Sequence, residues 1–157
     1  MKLSWTSLKI SIAGARLSHL VQKDKIWDHG SMIEQVKNIF FKLKKVKSNG
    51  DIDDLRKYLT ATCYRKFERE FTEMENKKKV WIIKNLLIKE IAVIEVRAGN
   101  KTKPDSFTTI IKAMGIEFKT DKNSGKELTT FSDHVRNSSE QWSFVRNGDW
   151  WVLDEIE

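Results

Sequence analysis

Trp142-Ser143-Phe144-Val145-Arg146-Asn147-Gly148-Asp149-Trp150-Trp151-Val152-Leu153 is the stretch whose reading decides the fold. Two aromatic-rich runs flank Asn147-Gly148, the pair that best suits a two-residue type I′ turn because both positions accept a positive φ. Such a turn sets a register in which Arg146 faces Asp149, Val145 faces Trp150, Phe144 faces Trp151 and Trp142 faces Leu153. Trp142, Phe144, Trp151 and Leu153 then share one face and are expected in the core. Trp150 falls on the opposite face, and with Trp81 it is the tryptophan expected at the surface, where an exposed aromatic marks a partner interface.

Upstream of this hairpin the period changes from two to that of a helix. Ser31-Met32-Ile33-Glu34 reads as a capping box that opens a helix after Gly30, and Ile33, Val36, Phe40 and Leu43 continue it at helical spacing until Ser48-Asn49-Gly50. Asp51 is expected to cap a second helix, whose stripe Ile52, Leu55, Leu59, Cys63, Phe67, Phe71 and Met74 keeps three- and four-residue steps over about six turns. Leu86 to Val96 is rich in β-branched residues and predicts a strand, followed by turn residues Gly99-Asn100-Lys101 and Pro104. Phe107 to Thr120 predicts a second strand with a bulge at Gly115, Asp121 to Gly125 a turn, and Lys126 to Ser139 a polar loop. Helices first and antiparallel strands after, without βαβ alternation, make this an α+β fold with helices on one face of the sheet. Residues 1–30 form an amino-terminal arm, partly helical, and 31–157 a single domain.

Gly50-Asp51 with Leu55-Arg56-Lys57-Tyr58-Leu59 and Tyr64, the segment Asp121 to Gly125, and above all Trp142-x-Phe144-x-Arg146 followed by Trp151-x-Leu153-x-x-Ile156 carry a resemblance. Over Trp27 to Glu157 the chain resembles the domain of the peripheral, matrix-side subunit forty-four of the mitochondrial inner-membrane translocase. The resemblance implies a cone-shaped, curved antiparallel sheet packed on N-terminal helices, of the cystatin-like or nuclear-transport-factor-two-like kind, with an apolar cavity beneath it. It also implies relatives that associate with inner membranes, tether import motors or sit in the mitochondrial large ribosomal subunit. The long charged extension of the translocase subunit and the transmembrane or glycine-rich segment of bacterial relatives have no counterpart in the sequence.

Composition narrows the function classes. With 39% hydrophobic and 32% charged residues the chain is globular, and its single cysteine, Cys63, allows no intrachain disulfide and anchors no zinc site, which favours a reducing compartment. No apolar run reaches the roughly 20 residues of a membrane span, and charges at Lys9 and Arg16 interrupt what a secretory signal would need. The expected location is cytoplasmic or peripheral on the inner face of a membrane, without secretion. A net charge of +7 favours an anionic partner, whether an acidic protein surface, an anionic leaflet or nucleic acid. Lys37, Lys42, Lys44, Lys45 and Lys47, with Lys77, Lys78 and Lys79, form the candidate anionic-partner surface. Leu59, Cys63, Phe67, Phe71, Trp142, Phe144, Trp151 and Leu153 are the candidate lining of a core or cavity, which would admit a small apolar ligand.

Catalytic patterns are weak. Asp133-His134 sit in a polar segment, His19 and His29 are isolated, and Asp51-x-Asp53-Asp54 departs from a calcium loop at Arg56 and Thr62. Asn137-Ser138-Ser139 matches a glycosylation acceptor that matters only in a secreted chain. No phosphate loop or nucleophile elbow occurs, and no cofactor is expected. The sequence therefore predicts a non-catalytic binding or tethering module. The alternatives are a cone-fold isomerase or dehydratase acting on a small apolar molecule, and a ribosome- or RNA-associated protein.

Overall fold

The computed structural model describes residues 4–122 and 135–157. Three α-helices, α1 (Trp5–Leu20), α2 (His29–Asn49) and α3 (Ala61–Asn76), precede four strands, β1 (Lys79–Arg97), β2 (Ser106–Asp121), β3 (Arg136–Asn147) and β4 (Trp150–Ile156). Short 3₁₀ helices at Lys25–Trp27 and Ile52–Tyr58 join the helices. The strands form one antiparallel sheet in sequence order, and the helices cover the face that carries Phe107, Ile111, Trp142, Phe144 and Leu153. This is the α+β arrangement that the order of patterns predicts.

α2 is the core of the helical layer because Met32, Val36, Ile39, Phe40, Leu43 and Val46 repeat at helical spacing and are all buried, each worth roughly 1.5–3 kcal/mol of transfer energy. Its start differs from the capping box. Asp28 is the N-cap, its carboxylate accepting from the Ser31 amide at 2.9 Å, while the Ser31 hydroxyl accepts from the Gln35 amide at 3.2 Å. A carboxylate at the positive end of a helix outcompetes a hydroxyl two residues inside it, so Gly30 lies within the first turn and is no stop. The end is where the sequence places it: Gly50 adopts φ 80° and its amide returns to the Val46 carbonyl at 2.7 Å.

The six-turn second helix is broken. Ile52–Tyr58 is 3₁₀, Leu59 is extended, and α3 begins only after Thr60. Asp51 makes no side-chain cap, and its own amide is held by Asn49 Oδ1 at 2.8 Å. The break has a cause in the sheet. Leu59 forms a parallel bridge with Leu153, and the Thr60 amide donates to the Leu153 carbonyl at 2.9 Å. The Thr60 hydroxyl also accepts from the Cys63 amide at 3.2 Å and donates to Asp154 Oδ1 at 2.9 Å, capping α3 and pinning it to β4. Leu55, Leu59, Cys63 and Phe67 nevertheless stay buried, so the stripe finds the core by two elements instead of one.

The sheet departs from the sequence reading in four places. β1 starts at Lys79, seven residues before the predicted Leu86, because Lys79 to Lys84 pair with Ile116 to Asp121. That puts Trp81 on the core side at 6% exposure, against Phe71 at 5.1 Å and beneath the ammonium groups of Lys47 and Lys119, and corrects its expected exposure. The bulge is in β1, where Asn85 has φ 53° and the register shifts between Lys84 and Leu87. Gly115 lies opposite it without bulging; a Cβ there would come within 3.1 Å of the Leu86 Cα, so glycine makes room for the bulge. β3 begins at Arg136, inside the predicted polar loop, since Arg136 to Gln141 pair with Ile110 to Gly115 through backbone bonds that need no apolar alternation.

The deciding hairpin forms with a shifted register. Asn147 pairs with Trp150, so the two turn residues are Gly148 and Asp149, and only Gly148 takes a positive φ, 65°, as a II′ turn requires. Phe144 consequently faces Leu153 and Arg146 faces Trp151, a slip of two residues that preserves the facing. A further shift between Ser143 and Phe144 sets Trp142 opposite Ile156. Trp142, Phe144, Trp151 and Leu153 are all buried, and Phe107 stacks on Phe144 at 5.0 Å. Arg146 closes the open end by donating to Asp24 Oδ2 at 2.6 Å and Asp105 Oδ2 at 3.1 Å, tying the α1–α2 connection to the sheet. The Arg146 guanidinium holds the Asp24 carboxyl below the usual carboxylate range.

Across the layer, Lys44 donates to Glu117 Oε2 at 2.8 Å and Lys47 to Glu117 Oε1 at 3.4 Å. Burial works against the Glu117 charge, yet the two ammonium groups overcome it and hold its carboxyl below the usual range.

Two predictions follow from these joints. Thr60→Ala removes both the α3 cap and the bond to Asp154 and is expected to cost about 2 kcal/mol, lowering Tm by roughly 4–8 °C in a thermal melt. Glu117→Gln leaves two largely buried ammonium groups without a counter-charge and is expected to cost roughly 2–3 kcal/mol at pH 7 in urea denaturation. Because the folded pKa of Glu117 is depressed, its contribution is complete above the unfolded value of about 4.3 and is lost as pH falls through the folded value. The stability gap between the two proteins should accordingly close between about pH 5 and the acid limit of the measurement.

Candidate functional site

The lysines singled out by their spacing are largely engaged within the fold. Lys44 and Lys47 hold Glu117, Lys37 lies 3.6 Å from Glu34, Lys42 lies 3.7 Å from Asp54, and Lys77 lies 2.7 Å from Glu73. Lys44 is itself buried, its ammonium 5.3 Å from the centre of the Phe40 ring. Lys45, Lys78 and Lys79 make no ion pair among the described residues. The charge excess lies in the amino-terminal third of the chain: the first 50 residues hold 10 basic and three acidic side chains, and the remainder holds 19 of each. No acidic residue precedes Asp24.

α1 occupies the start of this basic stretch and is apolar on two sides. Ala13 and Leu17 are buried in the common core, and Arg16 Nη1 donates to the Val96 carbonyl at 2.8 Å, fixing the helix against β1. On the far side, Trp5 (70% exposed), Leu8 (41%) and Ile12 (58%) follow one another at three- and four-residue spacing and face solvent. Ser4 caps the helix by accepting from the Ser7 amide at 3.0 Å, so the segment is a formed helix up to Trp5. Periodicity alone did not reveal this face, because apolar residues on both sides cancel the amphipathic signal.

The residues expected to line a cavity mostly fill the core. Trp142, Phe144 and Leu153 have no exposed surface, and Leu59, Cys63 and Phe67 are buried. Phe71 is half-buried against Trp81. The Trp142 indole N–H has no acceptor among the described residues, a cost of about 1–3 kcal/mol that the packing absorbs. Burial pushes the Cys63 thiol up to about 12, with Asp154 adding to the shift, so it stays protonated at neutral pH.

Open clefts lie around this core. One, of about 350 Å³, is bounded by α2, the 3₁₀ helix before α3 and the start of β4; Ile39 and Trp151 meet there with Gln35, Asn38, Lys57, Tyr58 and Trp150. Trp150 is 58% exposed, as its place on the outer face predicts. A second, of about 250 Å³, runs between α3 and the end of β4 past Cys63 and Phe67.

The residues weighed for chemistry do not converge. His19 and His29 are exposed on separate helices. Asp53 accepts from Arg56 and from the Tyr64 hydroxyl, and Asp54 faces Lys42. Asp133 and His134 lie outside the described residues. Asn137, Ser138 and Ser139 belong to β3, with the Ser138 hydroxyl donating to the Ala113 carbonyl at 3.4 Å. Among the described residues no three His, Cys, Asp or Glu side chains are grouped to hold a metal ion, and no helix is long and apolar enough to cross a membrane.

Comparison with known proteins agrees with the fold. The intermembrane-space region of the chloroplast protein ARC6 superposes with a TM-score of 0.51 at 13% identity, over 79% of this chain and 93% of that one, which bears on the fold alone. No curated protein matches the sequence. The family model for the Tim44-like domain matches residues 13–157, reaching further back than the resemblance read from Trp27 and taking in the buried half of α1. With α2, α3, the sheet and the tryptophan hairpin all inside that match, the chain belongs to the Tim44-like domain family.

Proposed function

We propose that this Tim44-like domain is a non-catalytic tether, held at the periphery of a membrane by α1 and presenting its remaining surface to a protein partner. The observation that carries the reading is the outward face of α1, where Trp5, Leu8 and Ile12 form an apolar stripe that nothing else in the fold covers among the described residues. A helix that carries an apolar stripe with Lys9 and Arg16 and no carboxylate matches an anionic bilayer surface, with aromatic and aliphatic groups entering the interface and ammonium groups meeting the headgroups. Lys9 on the helix, its ammonium 5.9 Å from the Trp5 ring centre, and Lys23 and Lys25 just beyond it supply the cations, each worth about 1 kcal/mol near an anionic leaflet. Lys78 and Lys79 remain proposed contributors to the same attraction, whereas Lys44 and Lys47 act inside the fold.

Flotation with vesicles of phosphatidylcholine alone and of phosphatidylcholine with phosphatidylglycerol tests this directly. The protein should float with the anionic vesicles, release as salt rises, and lose most of its binding in Trp5→Ser/Ile12→Ser while keeping its Tm, because both side chains are exposed. Equal binding to neutral vesicles, or an unaffected double variant, would overturn the assignment of α1.

A further inference from the structure

One short length of the β4 edge is left to a side chain. At Leu153 the edge is met by Leu59 and Thr60, an extended segment of the chain lying parallel to it. Ahead of that bridge the Trp151 amide, which a neighbouring strand would bond, donates to Gln35 Oε1 at 3.0 Å. The 350 Å³ cleft opens at this point, with Trp150 and Tyr58 at its rim and Asn38 exposed beside them. Lys57, its ammonium 5.2 Å from the Tyr58 ring centre, is the one charged residue that lines the cleft among those described.

We propose that this cleft binds an extended, apolar segment of a partner protein that carries one carboxylate. The backbone donor at Trp151 calls for a strand, since an added strand takes over the bond that Gln35 now makes. Trp150 and Tyr58 offer rigid aromatic surface with polar tips, the composition of interface hot spots. Strand geometry sends every second side chain towards the same wall, where the aromatic lining takes apolar groups, and the lone positive charge of Lys57 selects one carboxylate. The inference deepens the tethering reading by giving the partner's chemistry, but it uses a face other than α1, so that the two stand or fall separately.

The test is selection from a phage-displayed library of random heptapeptides on the wild-type domain, after depletion on Trp150→Ala. Enriched sequences should be apolar at every second position and carry an acidic residue, and synthetic copies should bind at least tenfold more weakly to Trp150→Ala and to Lys57→Glu by fluorescence polarisation. Both positions are exposed, so unchanged thermal melts confirm that the variants fold. No enrichment over Trp150→Ala, enriched peptides without acidic residues, or equal binding by the variants would overturn the proposal. Loss of anionic-vesicle flotation in Trp150→Ala would do the same by making the cleft a lipid contact. Failure of vesicle binding in the wild-type protein, with peptide selection intact, removes the α1 reading and leaves this one standing.

Discussion

The bond from the Thr60 amide to the Leu153 carbonyl, with the Leu59 bridge beside it, is the joint on which the molecule depends. It fastens the start of α3 to the sheet. Forming it requires an extended backbone at Leu59, and that requirement ends the 3₁₀ helix and starts α3 with Thr60 as its cap. It also covers part of the sheet edge that runs along β4, which is one way a protein with an edge strand avoids indiscriminate pairing. The cleft beside Trp150 exists because this cover stops short: the chain meets β4 at Leu153, and the Trp151 backbone amide is left to the Gln35 side chain.

A similar economy governs the charges. A run of lysines along α2 looks from its spacing like a binding surface, but a helix that packs on a sheet must bring some of its flanks close to the strands. Lys44 and Lys47 sit on those flanks, with the Glu117 carboxylate on β2 between them and aromatic rings under their ammonium groups. They join layers and are little exposed to a partner. The same reasoning applies in reverse to α1, whose weak periodicity hides a helix with one apolar side against β1 and another facing water.

Much of the architecture was legible in local pattern. The stripe on α2, the glycine stop at Gly50, the tight reversal at Gly148 and the inward cluster Trp142, Phe144, Trp151 and Leu153 all follow from periodicity and turn chemistry, which act over a few residues. The hairpin slipped by two positions without harm to the cluster, because facing repeats every second residue. What failed to show locally was set by partners distant in the chain. Trp81 is covered by groups from α2, α3 and β2, and the polar start of β3 is a strand because β2 lies beside it.

By itself, then, the sequence determined which residues are apolar at which spacing, where the chain can reverse, and how much positive charge the molecule carries. The tertiary structure alone decided where a continuous stripe must break to meet an edge strand, which lysines are neutralised inside, and which aromatic groups remain facing water. The division has a physical reason: helix, strand and turn preferences are properties of a few neighbouring residues, whereas burial, ion pairing and edge coverage depend on groups as far apart as Thr60 and Asp154 or Lys44 and Glu117, which only folding brings together.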